Sequence, residues 1–199
     1  LLKKCESENR HATAEEQEIL SRYVGWGGLA DAFDESKPAW ETEYLELKTV
    51  LTPEEYAAAR ASTLNAHYTQ PIVIESMYQA LKNMGFEKGN ILEPAMGVGN
   101  FFGMLPEKME DSKLYGVELD SISGRIASLL YPDANIQIKG FEKTDYPNDF
   151  FNVVIGNVPF GAYKVNDRQY EKYNFFIHDY FLAKSLDQLR PGGVTALIT

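Results

Sequence analysis

Cysteine is nearly absent. Cys5 is the only one in 199 residues, which excludes an internal disulfide and fits a reducing compartment. Histidine is scarce as well, with three copies, so no set of His and Cys ligands at metal-binding spacing is assembled and no metal is expected. Basic residues are in deficit: 19 stand against 29 acidic ones, for a formal net charge of −10. That balance argues against a free-standing nucleic-acid binder, which needs clustered Lys and Arg, while leaving room for a local basic groove. No apolar run approaches the length of a membrane span and the N-terminus has no signal-peptide pattern. The expected location is therefore the cytoplasm, with no membrane partner. Internal repeats and low-complexity segments are also missing.

What is present is ordinary for a globular chain, with 44% hydrophobic and 24% charged residues, and it is rich in rings, with 12 Tyr and 11 Phe. The length suffices for one well-buried domain plus an appendage. The chain opens on "LLKKCESENR" without a methionine and stops at "GGVTALIT", inside an apparent buried strand. Domains rarely end on an unpaired apolar strand, so the expectation is a segment of a longer polypeptide. A dimer covering that edge is one way to protect it.

Residues 1–66 read as a helical extension. "ATAEEQEIL" sets Thr13 and Glu16 at capping-box spacing, and "LTPEEYAAARAS" repeats the device with Thr52, Pro53 and Glu55. Between them "DAFDESKPAWETEY" has no clear period and reads as loop plus a short helix, with Trp26 and Trp40 as packing anchors. From residue 67 onwards strands and helices alternate. "NILE", "SKLYGVELD", "ANIQIKG", "FFNVVIGN" and "GGVTALIT" read as five strands. "TQPIVIESMYQALKNMG", "SISGRIASLLYP" and "NFFIHDYFLAKSLDQL" read as helices. This alternation predicts an α/β domain over 67–199, a mostly parallel sheet with flanking helices. In the last helix, Phe176, Tyr180 and Leu182 or Ala183 are expected to form the core face.

Three motifs carry chemistry. "EPAMGVGNF" puts Glu93 at the end of the first strand and Gly97 and Gly99 in the turn after it, where backbone can approach a ligand. The spacing is not the G-x-G-x-x-G of dinucleotide enzymes, because position 102 is Phe, and an oxidoreductase is disfavoured. "YGVELD" ends the second strand in Glu118 and Asp120, about 20 residues after the turn, where an acid can take the two hydroxyls of a ribose. Glu118 is the first candidate and Asp120 the second; either can instead cap the next helix. The fourth strand ends in "GNVPFG". There the side-chain carbonyl of Asn157 and the main-chain carbonyl of Val158 can accept from one amino group, while Phe160 offers a face to a planar base. The same residues suit a simple strand-ending turn. Lys164, Arg168 and Lys172 follow, interleaved with acids, as a weak basic patch.

Taken together these motifs resemble those of the S-adenosylmethionine-dependent N6-adenine DNA methyltransferases, a class I, Rossmann-like fold. "EPAMGVGNF" is similar to the family's cofactor motif, "YGVELD" to its ribose motif, "GNVPFG" to its Asn-Pro-Pro-Tyr/Phe motif and "HYTQP" to an upstream cofactor-contacting motif. "YVGWGGLADAF", "LNAHYT" and "IGNVPFG" resemble the methylase segment of very large helicase-methylase proteins of bacterial mobile elements. The resemblance implies a sheet cut after strand five and S-adenosylmethionine as cofactor. It implies Tyr68, Thr69, Glu93, Ala95, Gly97 and Gly99 around that cofactor, with Glu118 on its ribose. It implies a target pocket of Asn157, Val158, Pro159 and Phe160. After strand three, Glu142 or Asp145 is implied near the cofactor's adenine, with Phe141 against the ring. DNA, reached through regions outside this chain, and a helicase segment of the same polypeptide are the implied partners. One departure stands out: the family usually has proline where this chain has Val158.

Overall fold

The five apolar runs become one parallel sheet. In the computed structural model, which describes residues 1–63 and 69–199, the strands are β1 (Asn90–Glu93), β2 (Lys113–Glu118), β3 (Asn135–Ile138), β4 (Phe151–Asn157) and β5 (Leu189–Ile198). Their spatial order is β3-β2-β1-β4-β5, and every neighbouring pair is parallel. The chain lays down β1, β2 and β3 in one direction and then returns to place β4 and β5 on the other side of β1. This reversal opens a crevice beyond the carboxyl ends of β1 and β4, the position where open α/β sheets bind ligands.

Burial explains why β1 and β4 are central. Both are almost continuously buried, as expected of parallel strands covered on two faces. Their side chains alternate between two cores. Ile91, Val153 and Ile155 pack with Ile74, Tyr78 and Leu81 of α5 (Pro71–Asn83). Leu92 and Val154 pack on the opposite face with Ile177, Tyr180 and Phe181 of α8 (Ile177–Gln188). The face α8 buries is Ile177, Tyr180, Phe181, Lys184, Ser185 and Gln188. Phe176, expected in the core, is exposed, whereas Tyr180 is buried and, of Leu182 and Ala183, it is Ala183 that packs on the core. The helix begins at Ile177 rather than at Asn174. β5 also begins earlier than expected, at Leu189, through a register irregularity opposite Phe151 and Val153.

The remaining helices are α1 (Leu2–Ser7), α2 (Ala14–Ser21), α3 (Glu41–Val50), α4 (Pro53–Ser62), the single turn α6 (Asn100–Gly103) and α7 (Ser121–Leu130). Both expected capping boxes form: Thr13 and Thr52 accept from the N–H of Glu16 and Glu55, whose carboxylates accept in return. α1 was not anticipated, and the stretch read as loop plus short helix runs into the first turn of α3, which continues beyond it to Val50. Nothing in α3 is fully buried, so its sequence carries no strong apolar stripe. The N-terminal helices dock on α7. Leu20 packs with Val98, Ile122 and Ile126, the Gln17 amide donates to the Leu129 carbonyl at 2.9 Å, and Arg125 bridges Glu6 and Glu55. Among the described residues no helix is long and apolar enough to cross a membrane.

Candidate functional site

A cleft of about 420 Å³ opens at the switch point between β1 and β4. Its floor is the strand ends. Glu93 closes β1 and is 2% exposed; its Oε2 has no hydrogen-bond partner among the described residues. Burial, and secondarily the neighbouring Glu118, push the Glu93 carboxyl well above the usual range. Glu118 closes β2. Its Oε2 accepts from the Gly97 N–H and its Oε1 from the Asp120 N–H, both at 2.7 Å. Burial raises the Glu118 pKa and these two N–H bonds pull it partly back, leaving it at about 7. Asp120 does something different. Its Oδ2 accepts from the N–H and hydroxyl of Ser123, which makes it the N-cap of α7. The two acids are held differently, Glu118 on the glycine turn and Asp120 on the helix cap, and both line the cleft.

The two glycines of that turn also part company. Gly97 has φ +56, its missing side chain would meet nothing within 4 Å, and it lines the cleft. Gly99 has φ +86, but it is not among the residues that line the cleft. Its Cα faces the Tyr131 ring, where an added Cβ would sit 2.5 Å from Cε2, and its carbonyl accepts from the Tyr131 hydroxyl at 2.8 Å. Gly99 turns the chain under Tyr131.

β4 delivers the second wall. Asn157 is its last residue and, with Val158, Pro159 and Phe160, lines the cleft. The departure at Val158 has a structural counterpart. The Val158 N–H donates to the Ile198 carbonyl at 3.0 Å, extending the β4–β5 ladder past the Asn157–Ile198 pair. Proline has no N–H for this bond, so the valine holds the loop by a hydrogen bond where a ring would hold it by restricting φ. The valine side chain is 2% exposed and packs in the α8-side core.

Thr69, Ala95, Phe141 and Glu142 also line the cleft. Phe141 lies 5.0 Å from the Phe181 ring and belongs to core and cleft alike. Asp145 is exposed and is not among the lining residues, which separates it from Glu142. Tyr68, and the histidine before it, lie outside the described residues. Sequence reasoning missed one wall completely. Val24 and Gly25, with Ala58, Ala61 and Ser62 of α4, come from the N-terminal extension and line the same cleft. The spacing of those three small residues in "YAAARAS" was the available signal. Lys184 was missed as well. Its ammonium, within α8, donates to the carbonyls of Phe141 and Thr144 and pairs with Asp167 at 3.2 Å.

This geometry has counterparts in solved structures. A Streptococcus thermophilus methyltransferase subunit of a type I restriction-modification system superposes with a TM-score of 0.54, covering 80% of this chain and 42% of that one at 15% identity. A Listeria monocytogenes protein assigned to the class I S-adenosylmethionine-dependent methyltransferases gives 0.50, covering 82% and 59% at 18% identity. The fold is that of the class I methyltransferases. In sequence, the chain is 30% identical over 191 residues to the defense against restriction protein B of Escherichia phage P1. The match takes in 94% of this chain and 7% of the phage protein, so the chain spans a small part of that relative's length. No family model matches. Within the methyltransferase fold, the cleft occupies the ligand-binding end of the sheet, and the three sequence motifs that end strands, at Glu93, Glu118 and Asn157, meet there.

Proposed function

We propose that the cleft holds S-adenosylmethionine and that the chain directs methyl transfer to the N6 amine of adenine in DNA. The observation that carries this reading is the meeting of Asn157, at the tip of β4, with the acidic pair Glu93 and Glu118 in one cleft. The residues present suit that cofactor. The unpartnered Glu93 Oε2 offers an acceptor to a cationic amino group, Glu118 offers a carboxylate to a diol, and Gly97 leaves open space beside them. Phe141 and the exposed Leu119 add apolar surface for a planar base. When bound, S-adenosylmethionine supplies an electrophilic methyl group on a sulfonium.

The rest of the chemistry belongs to the chain. The Asn157 amide oxygen and the Val158 carbonyl accept hydrogen bonds from the target amine, which keeps its nitrogen lone pair free for attack. Alignment of this kind contributes to rate without a strong base. Phe160, 49% exposed at the mouth, supplies a stacking face. An adenine in a duplex must leave the stack to reach this depth. The phage relative's role in defence against restriction fits an activity that modifies DNA, and the restriction-modification neighbour fits it too. In the same proposal, a helicase segment and the site-reading regions belong to a longer polypeptide.

The test is methyl transfer from labelled S-adenosylmethionine to adenine-containing oligonucleotides, with N6-methylated oligonucleotides as the blank. Transfer to the first alone, lost in Asn157→Ala while cofactor binding persists, supports the proposal. Cofactor binding by the folded chain without transfer to any DNA overturns it in favour of a binding module.

A further inference from the structure

Exposed aromatic rings are not scattered over this protein. Among the described residues, the four Phe, Tyr or Trp side chains that are exposed are Phe160, Tyr163, Tyr173 and Phe176, at 42–54% exposure. They fall within one stretch that follows β4, and the first two line the mouth of the cleft. The stretch is structured. The Ile177 N–H donates to the Tyr163 carbonyl at 2.9 Å, Tyr173 stacks on Phe175 at 5.2 Å, and Lys164 bonds the Asn174 side chain. Cations sit beside the rings: the Lys172 ammonium is 4.7 Å from the Tyr173 ring centre and that of Lys164 is 5.7 Å from Phe176.

The sequence set three cations here, Lys164, Arg168 and Lys172, against the acids Asp167, Glu171 and Asp179. The fold changes that balance. The Asp167 carboxylate turns inward, where it accepts from the Tyr180 hydroxyl at 2.7 Å and pairs with the buried Lys184 at 3.2 Å. Only 12% of its side chain remains exposed. None of the three surface cations forms an ion pair among the described residues; with Glu171 and Asp179 also at the surface, they leave a small local excess of positive charge on a chain of net charge −10.

We propose that this rim, Tyr163, Lys164, Lys172, Tyr173 and Phe176 beside Phe160, seats a single strand of nucleic acid adjoining the base held in the cleft. Rings that stack bases and cations that meet phosphates are the two parts of a single-strand site, and the local charge is complementary to a polynucleotide although the whole chain's is not. The proposal rests on the reading of the cleft as a methylation site for a nucleobase, but its binding can be measured apart from transfer.

The experiment titrates the full 199-residue chain against a fluorescent twelve-nucleotide single strand at several salt concentrations, without cofactor. It is repeated with Tyr173→Ala and with Lys164→Glu/Lys172→Glu, residues outside the cleft wall; circular dichroism and cofactor titration check their folding. The expectation for Tyr173→Ala is binding weaker by roughly five- to a hundred-fold. For the charge pair the expectation is weaker binding, with the salt slope reduced by about 1.4. Unchanged affinity and slope in both variants overturn the rim. So does a wild-type chain that binds cofactor but no oligonucleotide, or that binds anionic vesicles in its place; the cleft reading then survives. Loss of cofactor binding and transfer, with oligonucleotide binding still sensitive to the variants, leaves the rim standing and removes the methylation reading.

Discussion

If Glu118 receives the cofactor's ribose, affinity should follow its ionisation. The Glu118 pKa stands at about 7 in the unliganded protein, because burial outweighs the two N–H bonds from Asp120 and Gly97. A carboxylate that accepts from two hydroxyls must be ionised, and at pH 6 only roughly one molecule in ten is so. The dissociation constant for S-adenosylmethionine should therefore be about tenfold weaker at pH 6 than at pH 8, a change of ~1.4 kcal/mol, with a further decade by pH 5. Stability of the unliganded protein runs the other way. A carboxyl whose folded pKa is raised contributes stability that is complete below its unfolded value and is lost as pH rises through about 7. Ligand-induced increases in melting temperature should therefore be larger at pH 8 than at pH 6. Calorimetric titration across that range, with homocysteine and methionine forms of the cofactor, reads the affinity directly. In Glu118→Gln it should be low and flat with pH. In Glu93→Gln the step near pH 7 should remain, since the Glu118 bonds are intact. A flat profile in the wild type, or a step that survives Glu118→Gln, refutes the assignment.

Other substitutions test the supports of the site. Val158→Pro, although it restores the residue usual in the resembled family, removes the donor to the Ile198 carbonyl and should cost about 1–3 kcal/mol in denaturant unfolding; an unchanged midpoint contradicts the ladder argument. Gly99→Ala combines φ +86 with a Cβ 2.5 Å from Tyr131 and should lower the melting temperature clearly. Gly97→Ala, with φ +56 and open space, should destabilise less but weaken cofactor binding, because its methyl enters the cleft. Equal effects of the two alanines on stability and affinity would count against their separation. Arg125→Ala leaves Glu55, 8% exposed, without its guanidinium and should cost roughly 2 kcal/mol, between the values for surface and buried pairs. Although burial alone would raise the Glu55 carboxyl, bonds from Arg125, Thr52 and Lys3 hold it down at about 2. That contribution is present above the unfolded carboxylate range and lost as pH falls toward 2, so the Arg125→Ala deficit should be full at pH 7.

How much could be read beforehand depended on the range of the interactions. Both capping boxes join residues three apart, and both are present as spelled. Strands β1 and β4 were legible because burial on two faces leaves apolar runs that need no partner to be recognised. α8 was legible as a helix, with Tyr180 and Ala183 on its inward side, but Phe176 is exposed and Lys184 is buried. A lysine in a core makes sense only once the carbonyls of Phe141 and Thr144 and the carboxylate of Asp167 are brought to it from other segments. α3 buries nothing fully, and its pattern was correspondingly faint.

By itself the sequence determined most element types, the parallel α/β class and the strand ends that meet in the cleft, because caps, turns and buried strands are written in short-range pattern. Only the tertiary structure decided between residues that look alike locally. It set Glu118 on the glycine turn and Asp120 on a helix cap, Gly97 in the cleft and Gly99 under Tyr131. It brought Ala58, Ala61 and Ser62 from the N-terminal helices to the cleft wall and turned Asp167 inward, leaving the rim cationic. Each of these outcomes depends on which distant group meets a side chain and how much water the meeting removes, and that is a property of the packed chain.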